Sequence, residues 1–60
     1  MKLHREIVEI DEISNGFAHY HNNTFSGFAD LSHFPNAEVG QKWSMTLSGS
    51  LIVGTKRELI

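Results

Sequence analysis

Apolar and polar residues alternate most strictly over residues 42–48, where Trp43, Met45 and Leu47 interleave with Ser44, Thr46 and Ser48. A period of two predicts a β-strand with one buried and one wet face. Trp43 opens the apolar side and belongs to a core. The same period predicts a strand over residues 16–21, with Phe17, His19 and His21 on one face and Ala18 and Tyr20 on the other. A further strand covers residues 25–31, and Gly27 within it points to a bulge or sharp bend. Beyond Gly27, Phe28 and Asp30 share one face, and Ala29 and Leu31 the other. Residues 51–53 read as a short closing strand, and residues 56–60 as a fraying tail.

The opening segment, residues 3–13, admits two readings. Leu3, Ile7 and Ile10 have the spacing of a short amphipathic helix. Ile7-Val8-Glu9-Ile10-Asp11 is β-branched, however, and alternates Val8 and Ile10 with acids, which favours a strand. Turn residues punctuate the rest. Ser14-Asn15-Gly16 and Asn22-Asn23-Thr24 mark hairpins, because Asn and Gly tolerate positive φ. In the connection over residues 32–40, Ser32 is placed to cap one helical turn, while Pro35 disfavours helix at Phe34.

Five short strands with Gly-rich turns predict an all-β fold: a small five-stranded antiparallel barrel, residues 1–60 as one domain. The alternatives are a Greek-key barrel of OB type and an SH3-like barrel. Closure, full or nearly so, would remove the exposed edges that invite aggregation. The predicted core is Val8, Ile10, Ala18, Tyr20, Leu31, Trp43, Met45, Leu47 and Ile52.

Size and charge narrow the picture. A chain of 60 residues buries only about 60% of its unfolded surface, so its stability is expected to be marginal. It has no cysteine, which fits a cytoplasmic protein and excludes a disulfide staple. No apolar run approaches the roughly 18 residues of a membrane span, and the N-terminus does not read as a secretory signal. We therefore expect a soluble protein without a membrane partner. Net charge is −2, which gives no general pull toward phosphates and counts against a non-specific DNA coater. Base stacking needs rings more than charge and stays open. Between Ile13 and Ala37 the one formal charge is Asp30, accompanied by His19, His21 and His33. That uncharged middle is the expected binding surface.

Gly16-Phe17-Ala18, then Gly27-Phe28-Ala29-Asp30-Leu31-Ser32, then Val39-Gly40-Gln41-Lys42 follow one another within residues 15–49. This order resembles the S1 RNA-binding domain, a member of the OB-fold class. The acidic-apolar stretch of residues 7–13 falls where the first strand of that family would be. Asp30 stands where the family often has a histidine. The resemblance implies that Phe17, His19 and Phe28 point outward from the second and third strands. It likewise implies that Ala18, Tyr20, Ala29 and Leu31 point inward. Strand alternation gives the same faces. Phe25 or Phe34 is then expected to be packed.

Two functional readings follow. In the first the chain binds single-stranded nucleic acid, RNA before single-stranded DNA. Phe17 and Phe28 would stack on bases, and His19, His21 and Asn22 or Asn23 would supply hydrogen bonds. Asp30 and Lys42 lie at matching positions, and Lys42, Lys56 and Arg57 would meet phosphates. In the second it is a small adaptor or inhibitor barrel, of regulatory or phage type, that binds another protein or itself through the same uncharged surface. His19 and His21, two apart on a strand, offer half of a metal site, which His4, His33 or Asp30 would have to converge to complete; two surface histidines on a polar strand is the favoured reading. We expect no metal and no cofactor. A cysteine nucleophile, a Gly-x-Ser-x-Gly elbow and a phosphate-cradling Gly-rich loop are all missing from the chain, so no enzymatic activity is expected.

Overall fold

The computed structural model describes residues 2–58. Its strands are β1 (Leu3–Ser14), β2 (Phe17–His21), β3 (Ser26–Asp30), β4 (Lys42–Ser48) and β5 (Leu51–Arg57), with a single 3-10 turn, Leu31–His33, between β3 and β4. They form one antiparallel sheet in the order β3-β2-β1-β4-β5. β1, β2 and β3 follow one another as hairpins, and the connection after β3 then returns to lay β4 beside β1. The spatial order 4-1-2-3 is a Greek key, and β5 folds back on β4. The fold is thus all-β, a strongly curled half-barrel, as alternation predicts.

The sheet curls without closing into a hydrogen-bonded barrel. Among the described residues β3 and β5 share no strand pairing. The gap is crossed by the 3-10 turn, where the Thr55 hydroxyl donates to the His33 carbonyl. Just beyond that turn, Phe34 enters the barrel and is fully buried. Asp30, and not Ser32, caps the turn, accepting a hydrogen bond from the Ser32 N–H at 2.9 Å.

β1 is the frame of the sheet. Its first part pairs with β4, Leu3 opposite Ser48 through Glu9 opposite Lys42. Its last part pairs with β2, Glu9 opposite His21 through Ser14 opposite Phe17. Strict alternation after Ile10 would send Glu12 into the core. A bulge at Asp11 prevents this: Ile10 opposes Tyr20 and Glu12 opposes His19. The extra residue flips the register, so that Ile13 joins Val8 and Ile10 on the inside. The helical reading of this segment therefore gives way to the strand.

The core is Val8, Ile10, Ala18, Phe34, Trp43 and Met45, with Tyr20, Phe25, Leu31, Leu47 and Ile52 among the residues packed against it. Four expectations need correction. Gly27 marks no bulge, since β2 and β3 pair without a break. It sits opposite Tyr20, and a Cβ there would lie 3.0 Å from the Tyr20 hydroxyl oxygen. The glycine exists to let the tyrosine ring cross it. Ser44, expected on the wet face, is only 6% exposed. Phe34, left out of the predicted core list, is the largest fully buried side chain. Lys56 and Arg57 belong to β5 and do not fray; Leu59 and Ile60 lie outside the described residues.

Candidate nucleic-acid interface

The hairpin from β1 to β2 turns on Asn15 and Gly16, both with positive φ (54° and 82°). That pair defines a two-residue turn whose twist matches the flanking strands. It fixes the register of β2, and so the face on which its aromatic residue emerges. Phe17, His19 and His21 point outward and Ala18 inward, where it is fully buried. β3 continues the pattern: His19 lies opposite Phe28, and Phe17 opposite Asp30.

Three rings therefore meet on the outer surface. The Phe17 and Phe28 centroids are 5.6 Å apart with planes at 86°, an edge-to-face contact. His19 lies 5.6 Å from Phe28 with planes only 30° apart. Phe28 is 62% exposed and Phe17 39%. Phe28 touches Phe17 edge-on and the tilted His19 ring, and much of it stays in water.

The row of side chains next to this cluster runs from Ser26 through His21 and Glu9 to Lys42. The bulge brings the Asp11 carboxylate 3.0 Å from His21 Nδ1. That distance suits charge pairing, but the approach is off the hydrogen-bond direction, and Nδ1 has no hydrogen-bond partner. His21, Asn22, Asn23 and Lys42 border a shallow depression of about 220 Å³, with Ile7, Val8 and Glu9. Lys42 is exposed on the same outer face as the rings.

Several expected contacts are committed elsewhere. Asn22 Oδ1 accepts from the N–H groups of Thr24 and Phe25 at 2.8 and 2.9 Å. Its Nδ2 donates to Glu6 Oε1 and to the Ile7 carbonyl. Asn22 builds the second hairpin and has no capacity left for a base; Asn23 stays exposed. The Asp30 carboxyl is held below its ordinary range first by the backbone N–H of Ser32, then by the Ser32 hydroxyl and the charge of His33. It is a turn cap at the border of the cluster. Arg57 lies opposite Trp43, on the other side of the sheet from the rings, and Lys56 lies opposite Ser44, beyond β1 and β4. Of the expected cations, Lys42 alone is near the cluster.

The sequence reading missed Asp11 and Glu9 as neighbours of His21. A bulge gives no signal in alternation, and it is the bulge that delivers Asp11. Among the described residues no three His, Asp or Glu side chains gather to hold a metal ion, and no helix is long and apolar enough to cross a membrane. Compared with protein families, curated proteins and solved structures, the chain matches none.

Proposed function

We propose that the protein is a binding module for single-stranded nucleic acid, RNA in particular. The observation that carries this reading is the exposed Phe28 ring, in contact with Phe17 and His19 on the outer face of β2 and β3. Aromatic rings on such a face are stacking platforms for bases, each stack contributing about 1–3 kcal/mol. In this reading one base stacks on Phe28 and the next meets Phe17. His19 and His21 donate hydrogen bonds, and Lys42 meets the backbone. The S1-like order of the Gly-Phe elements supports RNA over DNA. Asp30 serves by fixing the end of β3, not by touching the strand.

A second reading has its own observation. Asp11, Glu12 and Asp30 border the rings, and carboxylates there repel phosphates. A protein partner presenting an apolar side chain and a cation would meet no such repulsion. Titration with homopolymeric RNA separates the two. Trp43 is buried at 4% exposure, so its emission is a poor reporter. The amide resonances of residues 17–30 are the right one. Saturable shifts centred on Phe17, His19 and Phe28 support the nucleic-acid reading, and their absence with RNA and single-stranded DNA alike overturns it.

A further inference from the structure

The outer face of the sheet has a second feature, away from the rings. Arg5, Thr46 and Gly54 stand in one row across β1, β4 and β5, and Ser44 and Lys56 in the next. Together with Thr55 and Glu58 they line a groove of about 310 Å³. Neither Arg5 nor Lys56 has an ion-pair partner among the described residues. The two strands that carry them flank β4 at about 4.8 Å on each side, and the rows are one two-residue step apart, so their Cα atoms start about 12 Å from each other. Two cationic side chains and the Ser44 and Thr46 side chains thus border the same groove. Ser44 is 6% exposed, and its hydroxyl has one long bond, 3.4 Å, to the Lys56 carbonyl.

Gly54 is the informative residue. It lies within a strand, where glycine weakens pairing. It does not have positive φ, and a Cβ added to it would meet nothing within 4 Å. Neither backbone conformation nor packing calls for glycine there. The bulge beside it, at Val53, is accommodated without a left-handed conformation at Gly54. The missing side chain leaves the β5 side of the groove, next to Lys56, open.

We propose that this groove binds a phosphate group. The guanidinium of Arg5 and the ammonium of Lys56 would donate charge-assisted hydrogen bonds to its oxygens, with the Ser44 and Thr46 hydroxyls donating as well. Glu58 sits at the border and leaves the lining at one net positive charge, a local reversal on a molecule of net charge −2. The site makes no use of the aromatic cluster and stands whether or not bases stack on Phe28.

The test follows the amides of Ser44, Thr46, Gly54 and Thr55 while inorganic phosphate is added at constant ionic strength, with chloride as control. Saturable shifts specific to phosphate are expected. Arg5→Gln combined with Lys56→Gln weakens them by at least about tenfold, as loss of charged hydrogen bonds should. Gly54→Val, which suits a strand and adds bulk to the β5 side of the groove, weakens them likewise, while Phe28→Ala leaves them unchanged. An unphosphorylated thymidine tetranucleotide forms the second arm. If it saturates the same amides, the groove takes the phosphodiester of a strand; if inorganic phosphate alone does, the groove takes a free phosphate or phosphomonoester. Chloride reproducing the shifts, or the double charge variant titrating like the parent, overturns the proposal. Because that double variant changes only exposed residues, it decides the matter even if Gly54→Val fails to fold.

Discussion

The molecule carries two aromatic clusters on opposite faces of one sheet. Inside, Phe25, Tyr20, Phe34 and Trp43 form a chain of ring contacts, with Phe34 and Trp43 5.3 Å apart at 82°. Outside, Phe17, His19 and Phe28 make a similar chain. Ring geometry does not tell the two apart, since both include edge-to-face pairs. Water does: Phe34 is 0% exposed and Phe28 62%. The inner rings gain the free energy of burial and hold the half-barrel together. The outer rings forgo much of it, and Phe28 keeps most of its surface in water. Chemically identical side chains thus carry stability on one face and stand in water on the other, where the proposed function would use them.

The largest expected effect tests the inner cluster. Phe34→Ala should cost about 3–5 kcal/mol, which is comparable to the whole stability of a domain this small. Urea denaturation followed by near-ultraviolet circular dichroism should find the variant largely unfolded. Trp43→Ala should behave alike. A Phe34→Ala protein melting at the parent temperature would erase the distinction between the faces.

Gly27→Val probes the seam where the inner cluster meets the sheet. Its new side chain would overlap the Tyr20 ring, already 3.0 Å from a bare Cβ. Overpacking of this kind costs about 1–3 kcal/mol. Thermal melting measures it, and a parallel Tyr20→Ala, Gly27→Val double variant should recover part of the Gly27→Val loss because the overlap is gone.

Phe28→Ala sharpens the outer side. Its melting point should barely move, because no cavity opens in water; the lost edge contact with Phe17 accounts for about 1 kcal/mol at most. Binding of single-stranded RNA should fall by about tenfold or more, the loss of one stacked base. A strongly destabilised Phe28→Ala protein would mean that the outer cluster is structural. The affinity should also depend only weakly on salt. With Lys42 the one expected cation near the rings, about one phosphate is neutralised and the slope of log affinity on log salt should be about −1 or shallower, and a steep slope would mean that charge and not stacking holds the strand.

The smallest effect is the acid response of the turn that separates the clusters. The Asp30 carboxyl is held below its ordinary range by the Ser32 N–H. A group whose folded pKa lies below its unfolded value of about 3.9 contributes stability in full above that value and loses it as pH falls through the folded one. Asp30→Asn keeps a capping oxygen but cannot ionise. Thermal melts from neutral to acid pH should show a shallower acid decline for Asp30→Asn than for the parent. Identical declines would remove Asp30 from the account.

Much of this was legible in the chain. Alternation over residues 16–21 and 42–48 gave the faces of β2 and β4, and Asn15-Gly16 gave the hairpin that sets which way Phe17 points. Period two alone separates Phe17, His19 and Phe28 from Ala18, Tyr20 and Ala29, because successive strand residues must face opposite sides, but it does not say which of the two faces is outward. Where period two was interrupted, the chain fell silent. Neither the bulge at Asp11 nor that at Val53 leaves a mark in composition. Gly27 reads the same in sequence whether it bends a strand or admits a ring. Asn22 and Asn23 look alike, although one is fully bonded into the hairpin and the other is exposed.

By itself, then, the sequence determined the strands, their turns and the sidedness of most residues, since these depend on neighbours one to four positions away. Only the tertiary structure decided which strands pair, that β4 returns to β1 and not to β3, and that Phe34 packs into the core against Tyr20 and Trp43. It alone brought Arg5 and Lys56 to one groove with Ser44, Thr46 and Gly54. Those outcomes depend on contacts between residues distant in the chain. Such contacts are chosen by which arrangement buries the most apolar surface with every register satisfied, and no local window contains that sum.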